Sequence, residues 1–220
     1  MVHIIKKPEP TALLQAKKRG LKDYNDMETP VKDAVKDQLF LEQKGLCSYC
    51  MRRLERETMQ IEHYIPQHGP DGSENTLLSV DYHNMLGVCP GGKGQAARGH
   101  ADMTCDQHRG NTLLTVDPLN LHSIKKIRYR SDGTIFSNDP IINSDLNDVL
   151  NLNCKAAKLP MNRKAVLDQF FIKLKSKYPN KSISKRNWEK MLEHYQNSDP
   201  LIPFVGIIIE FIYRKIASTQ

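Results

Sequence analysis

Residues 59–66 read Met59-Gln60-Ile61-Glu62-His63-Tyr64-Ile65-Pro66. Met59, Ile61, His63 and Ile65 alternate with polar or amphipathic neighbours, the period of a short strand, and Pro66 ends it. A carboxylate and an imidazole therefore stand side by side at a strand end, just before a loop of Gly, Pro, Asp and Asn over residues 67–75. A plainer reading also exists. His63 shares strand parity with Met59 and Ile61, as a packed core histidine would, and Glu62 alone would be a surface acid. The surroundings decide between the two.

Cysteines flank the stretch. Cys47 and Cys50 are spaced C-x-x-C, so one tight turn can aim two thiolates at a tetrahedral ion. Cys89 and Cys105 are the second pair. Fifteen residues separate them, including the Gly-rich loop 91–99 that lets the chain bulge out and return. A closed Zn²⁺ site on Cys47, Cys50, Cys89 and Cys105 would be structural, stapling loops with little core of their own. His100 is the substitute ligand, and Cys154 is expected in a helix as a small core residue. The opening residues, Met1 to Pro8, hold no apolar run of signal-peptide length, so a cytoplasmic location is expected, where paired thiols hold metal more often than they form disulfides.

Two further elements follow in order: Asp81-Tyr82-His83-Asn84-Met85-Leu86, then Cys105-Asp106-x-x-Arg109-Gly110 opening a helix. Singly, Asn84 would be a turn or capping residue and Asp106 an N-cap. Jointly, their order and spacing around the cysteines resemble the HNH (ββα-metal) endonucleases. The resemblance implies that His63 is the general base that activates water and that Asn84 holds the loop and orients the base. It also implies one divalent ion, Mg²⁺ or Mn²⁺, bound at the scissile phosphate. The residue chemistry agrees: a neutral imidazole titrates near physiological pH, and hard cations prefer oxygen ligands such as Glu62 and Asp106. One departure stands out. A typical HNH motif has His directly after the last cysteine; here Asp106 takes that place and His108 follows two residues later. Helical positions 106 and 108 point about 200° apart, so they are not expected to serve one ion. Register favours Asp106, with His108 as the alternative.

The flanks narrow the resemblance. Leu41-Glu42-Gln43-Lys44-Gly45-Leu46-Cys47-Ser48-Tyr49-Cys50, the Ile61-Glu62-His63 element, Asp81-Tyr82-x-Asn84-Met85-Leu86, Cys105-Asp106-x-x-Arg109-Gly110-Asn111 and Pro203-Phe204-Val205-Gly206-Ile207-Ile208-Ile209 are similar to the retron- and Septu-associated HNH proteins, the PtuB family. There Asp after the last cysteine is usual, which supports Asp106. This likeness implies antiphage defence and a complex with an ATPase partner of PtuA type.

Composition sets the bounds. The 220 residues are 39% hydrophobic and 26% charged, enough for a buried core. The net charge of +7 permits an anionic partner without naming one. Residues 126–220 carry 16 Lys and Arg against 9 Asp and Glu, whereas residues 46–125 carry 7 against 9. The region expected to collect cations is thus slightly acidic, and the basic surplus lies downstream, as a solvated surface or an anion-binding one. Lys93, Arg98 and Arg109 are the expected nucleic-acid contacts. DNA is the expected substrate. RNA or tRNA stays open, because such a site engages phosphate and not base edges. A zinc-stapled nucleic-acid-binding module without catalysis is the alternative from another class. No membrane association is expected: the most apolar stretch, Leu201 to Ala217, is short for a span and interrupted by Glu210 and Arg214.

The expected fold is α+β, a ββα-metal core with a zinc knuckle, an N-terminal helix and a helical C-terminal region. Residues 1–45 form an arm with helices near 11–18 and over 31–44, stopped by Gly45. Residues 46–118 form the core. Residues 119–220 hold a hairpin, 124–129 with 134–136 around Asp132-Gly133, then helices broken at Pro160, Pro179 and Pro200 to Pro203. The tail face of Phe204, Ile207, Ile208, Phe211 and Ile212 suits core packing first and a partner groove second.

Overall fold

The N-terminal arm supplies α1 (Thr11–Lys18) and α2 (Thr29–Glu42), which pack on each other. The computed structural model describes residues 1–68, 73, 75–92, 99–179 and 182–219. In α2 the stripe Val31, Val35 and Leu39 is buried. The helix starts two residues earlier than its apolar period indicates, because Pro30 fits the first turn, where a missing N–H costs nothing. It stops at Lys44 and Gly45, both in the left-handed region at φ 49° and 72°. Buried Gln43 then locks the helix end to the sheet. Its Nε2 donates to the carbonyls of Leu46 (2.8 Å) and Gly87 (2.7 Å), and its Oε1 accepts from the Gly87 N–H at 2.6 Å.

Strand β1 (Gln60–His63) pairs antiparallel with β2 (Met85–Val88), His63 opposite Met85 and Gln60 opposite Val88. Between them lie the one-turn helix α3 (Thr76–Ser79) and a 3₁₀ turn, Tyr82–Asn84. β1 is shorter than the alternation at 59–65 suggests. The Ile65 N–H leaves the ladder and donates to the Asn84 side chain instead, at 2.7 Å.

Beyond the second cysteine pair come α4 (Asp106–Arg109), α5 (Leu121–Lys125) and a second two-stranded antiparallel sheet of β3 (Ile127–Tyr129) and β4 (Ile135–Ser137). The hairpin turns at Asp132-Gly133 as expected. Residues 124 and 125 belong to α5 rather than to its first strand, because the Asn120 side chain caps that helix by accepting from the N–H of His122 at 2.9 Å. The chain continues through α6 (Pro140–Ser144), a π turn (Asp145–Val149), α7 (Leu159–Lys177), α8 (Lys185–Asn197) and α9 (Gly206–Ser218). Two expectations need correction here. Pro160 does not break a helix but sits in the first turn of α7, and Cys154 is buried in the turn before that helix rather than within one.

The C-terminal tail is core. Phe204, Ile207, Ile208 and Ile212 are buried, and α9 packs on α7, α8 and β3. The Phe211 ring meets Phe170 edge-on at 5.8 Å and Trp188 at 6.1 Å. Much of the downstream basic surplus is solvated: Lys164, Lys173, Lys175, Lys177, Lys185, Arg186 and Lys190 are exposed. Among the described residues no helix is long and apolar enough to cross a membrane.

Candidate metal and catalytic site

The four cysteines converge. Cys47 follows directly on the Leu46–Arg53 bridge, and Cys50 lies inside the turn that this bridge closes, with the Cys47 N–H donating to the Arg52 carbonyl at 2.9 Å. Cys89 follows β2. The fifteen-residue excursion to Cys105 closes where the Thr104 N–H donates to the Gly91 carbonyl at 2.9 Å. Gly91 is required there: its φ is 59°, and a Cβ would lie 2.3 Å from the Thr104 carbonyl oxygen. The sulfurs of Cys47 and Cys105 are 3.9 Å apart, Cys50 and Cys89 3.7 Å, and Cys89 and Cys105 3.8 Å. All four lie within 4.8 Å of one another, and all are buried. Thiolates about 2.3 Å from a tetrahedral zinc stand about 3.8 Å apart, so the donor set fits such an ion. Burial opposes ionisation of Cys47, yet hydrogen bonds from Cys105, Cys50 and Cys89 pull its thiol well below the usual range. Hydrogen bonds with Cys47, Cys50 and Cys89, with burial added, push Cys105 far above it. Cys47 and Cys105 thus oppose each other's ionisation, and a divalent cation among the four sulfurs would remove that conflict.

The second cluster joins β1 to α4. Glu62 is buried, and Arg109 of α4 reaches across to form an ion pair with it. The Tyr49 hydroxyl donates to Glu62 at 3.2 Å and accepts from Arg109 at 3.0 Å. Asp106, one turn before Arg109, couples to Glu62. Burial and this neighbouring carboxylate outweigh Arg109 and push the Glu62 pKa up to about 9. Two acidic groups from separate elements therefore face each other, and Glu62 keeps its proton at neutral pH unless a cation joins them.

His63 is 7% exposed. Its Nε2–H donates to the Ser79 carbonyl at 2.9 Å, which leaves Nδ1 as an acceptor, and the Gln67 amide donates to it at 3.2 Å. The Tyr24 ring packs edge-on against it at 4.9 Å. Burial holds the imidazole below its usual range, so it is neutral at pH 7. Asn84 fastens the loop that leaves β1. Its Oδ1 accepts from the Ile65 N–H, and its Nδ2 donates to the carbonyls of Ile65 (2.9 Å) and Leu78 (3.1 Å).

Two expectations change. Arg109 offers nothing to nucleic acid: its side chain is fully buried and donates to Thr112, His63 and Tyr64 carbonyls as well as to Glu62 and Tyr49. A basic residue in an acidic pocket is neutralised before it can reach a phosphate. His108 turns away from Glu62. Its Nδ1–H donates to the Val149 carbonyl at 2.9 Å, and its ring stacks on His100 at 4.4 Å. With four sulfurs already gathered, His100 is not needed as a substitute ligand. Lys93 and Arg98 lie outside the described residues. Three contributors escaped sequence reasoning: Tyr49, Gln67 and the Ser79 carbonyl. Tyr49 sits inside the C-x-x-C and was legible only as motif filler. A backbone carbonyl leaves no trace in side-chain identity.

No family model matches the chain. A protein of Vibrio cholerae serotype O1 biovar El Tor, described as the "Retron Vc95 putative HNH endonuclease", is 25% identical over 172 residues, covering 74% of this chain and 80% of its own length. The likeness supports a nuclease of HNH type.

Proposed function

We propose that this chain is a metal-dependent HNH endonuclease. The observation that carries the reading is the meeting of Glu62 and Asp106 across β1 and α4, next to a neutral His63 whose Nδ1 is an acceptor. Glu62 and Asp106 would hold one Mg²⁺ or Mn²⁺, completed by substrate and water oxygens as such ions require. Such an ion would supply charge stabilisation at the phosphate and the leaving oxygen. His63 accepts the proton of the attacking water at Nδ1, where that water takes the place of the Gln67 amide, while the Ser79 carbonyl holds Nε2–H and so fixes the tautomer. Arg109 and Tyr49 orient Glu62, and Asn84 holds the loop that frames His63. Cys47, Cys50, Cys89 and Cys105 would hold a structural Zn²⁺ that joins both ends of this frame.

DNA is the substrate in this reading, with RNA as the alternative. The relative's association with a retron, together with the PtuB-like motifs, supports a role as effector in antiphage defence beside an ATPase partner. The test is plasmid nicking by zinc-loaded protein with Mg²⁺ or Mn²⁺, with His63→Ala alongside and RNA as parallel substrate. Wild type cleaves and the variant does not. Equal inertness of both proteins on DNA and RNA, with every metal, would leave a binding module without catalysis.

A further inference from the structure

Arg163 is 0% exposed and is the largest fully buried side chain among the described residues. Its Nε donates to the Gly133 carbonyl at 2.6 Å, and its Nη2 to the Leu152 carbonyl (2.8 Å) and Asn153 Oδ1 (2.9 Å). All three acceptors are neutral, and Nη1 has no hydrogen-bond partner. A buried guanidinium needs a compensating negative charge. Asp132 acts on it, but that residue is exposed and forms no ion pair with it among the described residues. Within the core its electrostatic neighbours are Tyr129 first, then Cys50 and Cys105.

Arg52 repeats the pattern. It lies two residues past Cys50, is partly buried, and donates from Nη2 to the Ala157 carbonyl at 3.1 Å. It belongs to the cysteine turn itself, its carbonyl accepting from the Cys47 N–H at 2.9 Å. A divalent ion held by four thiolates carries two net negative charges, and two guanidinium groups balance them.

We propose that Arg52 and Arg163 form the cationic shell of the tetrathiolate centre, so that metal retention and the seating of the segment leading into α7 depend on each other. The carbonyls of Gly133, Leu152 and Ala157 are the links. Through them the same two cations tie the β3–β4 turn and residues 150–159 to the knuckle. The backbone agrees, since the Cys105 N–H donates to the Leu150 carbonyl at 2.9 Å. This inference rests on the zinc reading of the four cysteines.

The test measures zinc affinity of the full-length protein by competition with a chromogenic chelator. Arg163→Met and Arg52→Met each weaken zinc binding by about 10–100-fold, the range for losing a residue that supports a metal ligand. Arg163→Lys, which keeps the charge, recovers most of that loss. Chelation lowers the thermal midpoint of wild type by more than that of Arg163→Met. If Arg163→Met does not fold, Arg52→Met decides, because that side chain is not fully buried. Wild-type affinity in the methionine variants, or equal loss in the lysine and methionine variants, overturns the charge-shell inference while the zinc reading stands. A wild-type protein that binds no zinc overturns both.

Discussion

Arg109 shows how a residue's neighbours reverse its meaning. In the sequence it is a cation beside a candidate phosphate site. In the fold it is a buried strut whose guanidinium serves Glu62, Tyr49 and three carbonyls. Arg109→Met should therefore cost about 3–5 kcal/mol in urea unfolding, as the loss of one partner of a buried pair does. A change below about 0.5 kcal/mol, the scale of surface substitutions, would place it outside the core network. His63 carries the opposite signature. Its replacement by Ala should reduce cleavage by about 10²–10⁴-fold, the usual contribution of a general base, with zinc content and circular dichroism unchanged. Loss of zinc in that variant would point to a packing role, as its strand parity with Met59 first suggested.

Elements matter here chiefly through their ends. The knuckle depends on a glycine turn that draws Cys89 and Cys105 together, with Gly91 at φ 59° facing the Thr104 carbonyl. Gly91→Val should lower zinc content per chain, measured by elemental analysis of protein purified without added metal. Full occupancy would mean that the loop closes by another route. The β3–β4 turn makes a comparable contact with α7. A Cβ on Gly133 would stand 2.0 Å from the Pro160 carbonyl oxygen, at φ 85°. Gly133→Ala should therefore lower the thermal midpoint by several degrees, the equivalent of about 1–3 kcal/mol for strain of this kind. An unchanged midpoint would show that hairpin and helix are free to part.

At the scale of the whole molecule, the two site residues pull stability in opposite directions as pH changes. Burial holds His63 below its ordinary pKa, so the unfolded chain takes up that proton first. Its contribution is complete above about pH 6.5 and is lost as pH falls from there. Glu62 runs the other way. Its folded pKa of about 9 lies above the usual 4.5, so its contribution is complete below about 4.5 and fades as pH rises toward 9. Zinc-loaded protein without Mg²⁺ should thus lose thermal stability on both sides of mid-range pH. Added Mg²⁺ should restore it on the alkaline side, where binding to the folded state stabilises by mass action. A Mg²⁺ effect that is the same at pH 5 and pH 8 would remove Glu62 from the ion's ligands.

The sequence alone determined the local features of this protein. Cysteine spacing, the alternation around His63, the stripe of α2 and the Asp132-Gly133 turn are each set by nearby side chains, and each has its counterpart in the fold. Tertiary structure alone decided which charges face water and which face one another. Arg109 and Arg163 are arginines like the exposed Arg186 until distant segments enclose them. Two further signals were local as well: Asn120 caps a helix where a strand pattern ran, and Pro160 begins a helix it could have broken. The reason is physical: propensity and periodicity act over a few residues, whereas burial and charge pairing join distant segments, as Arg109 and Glu62 are 47 residues apart.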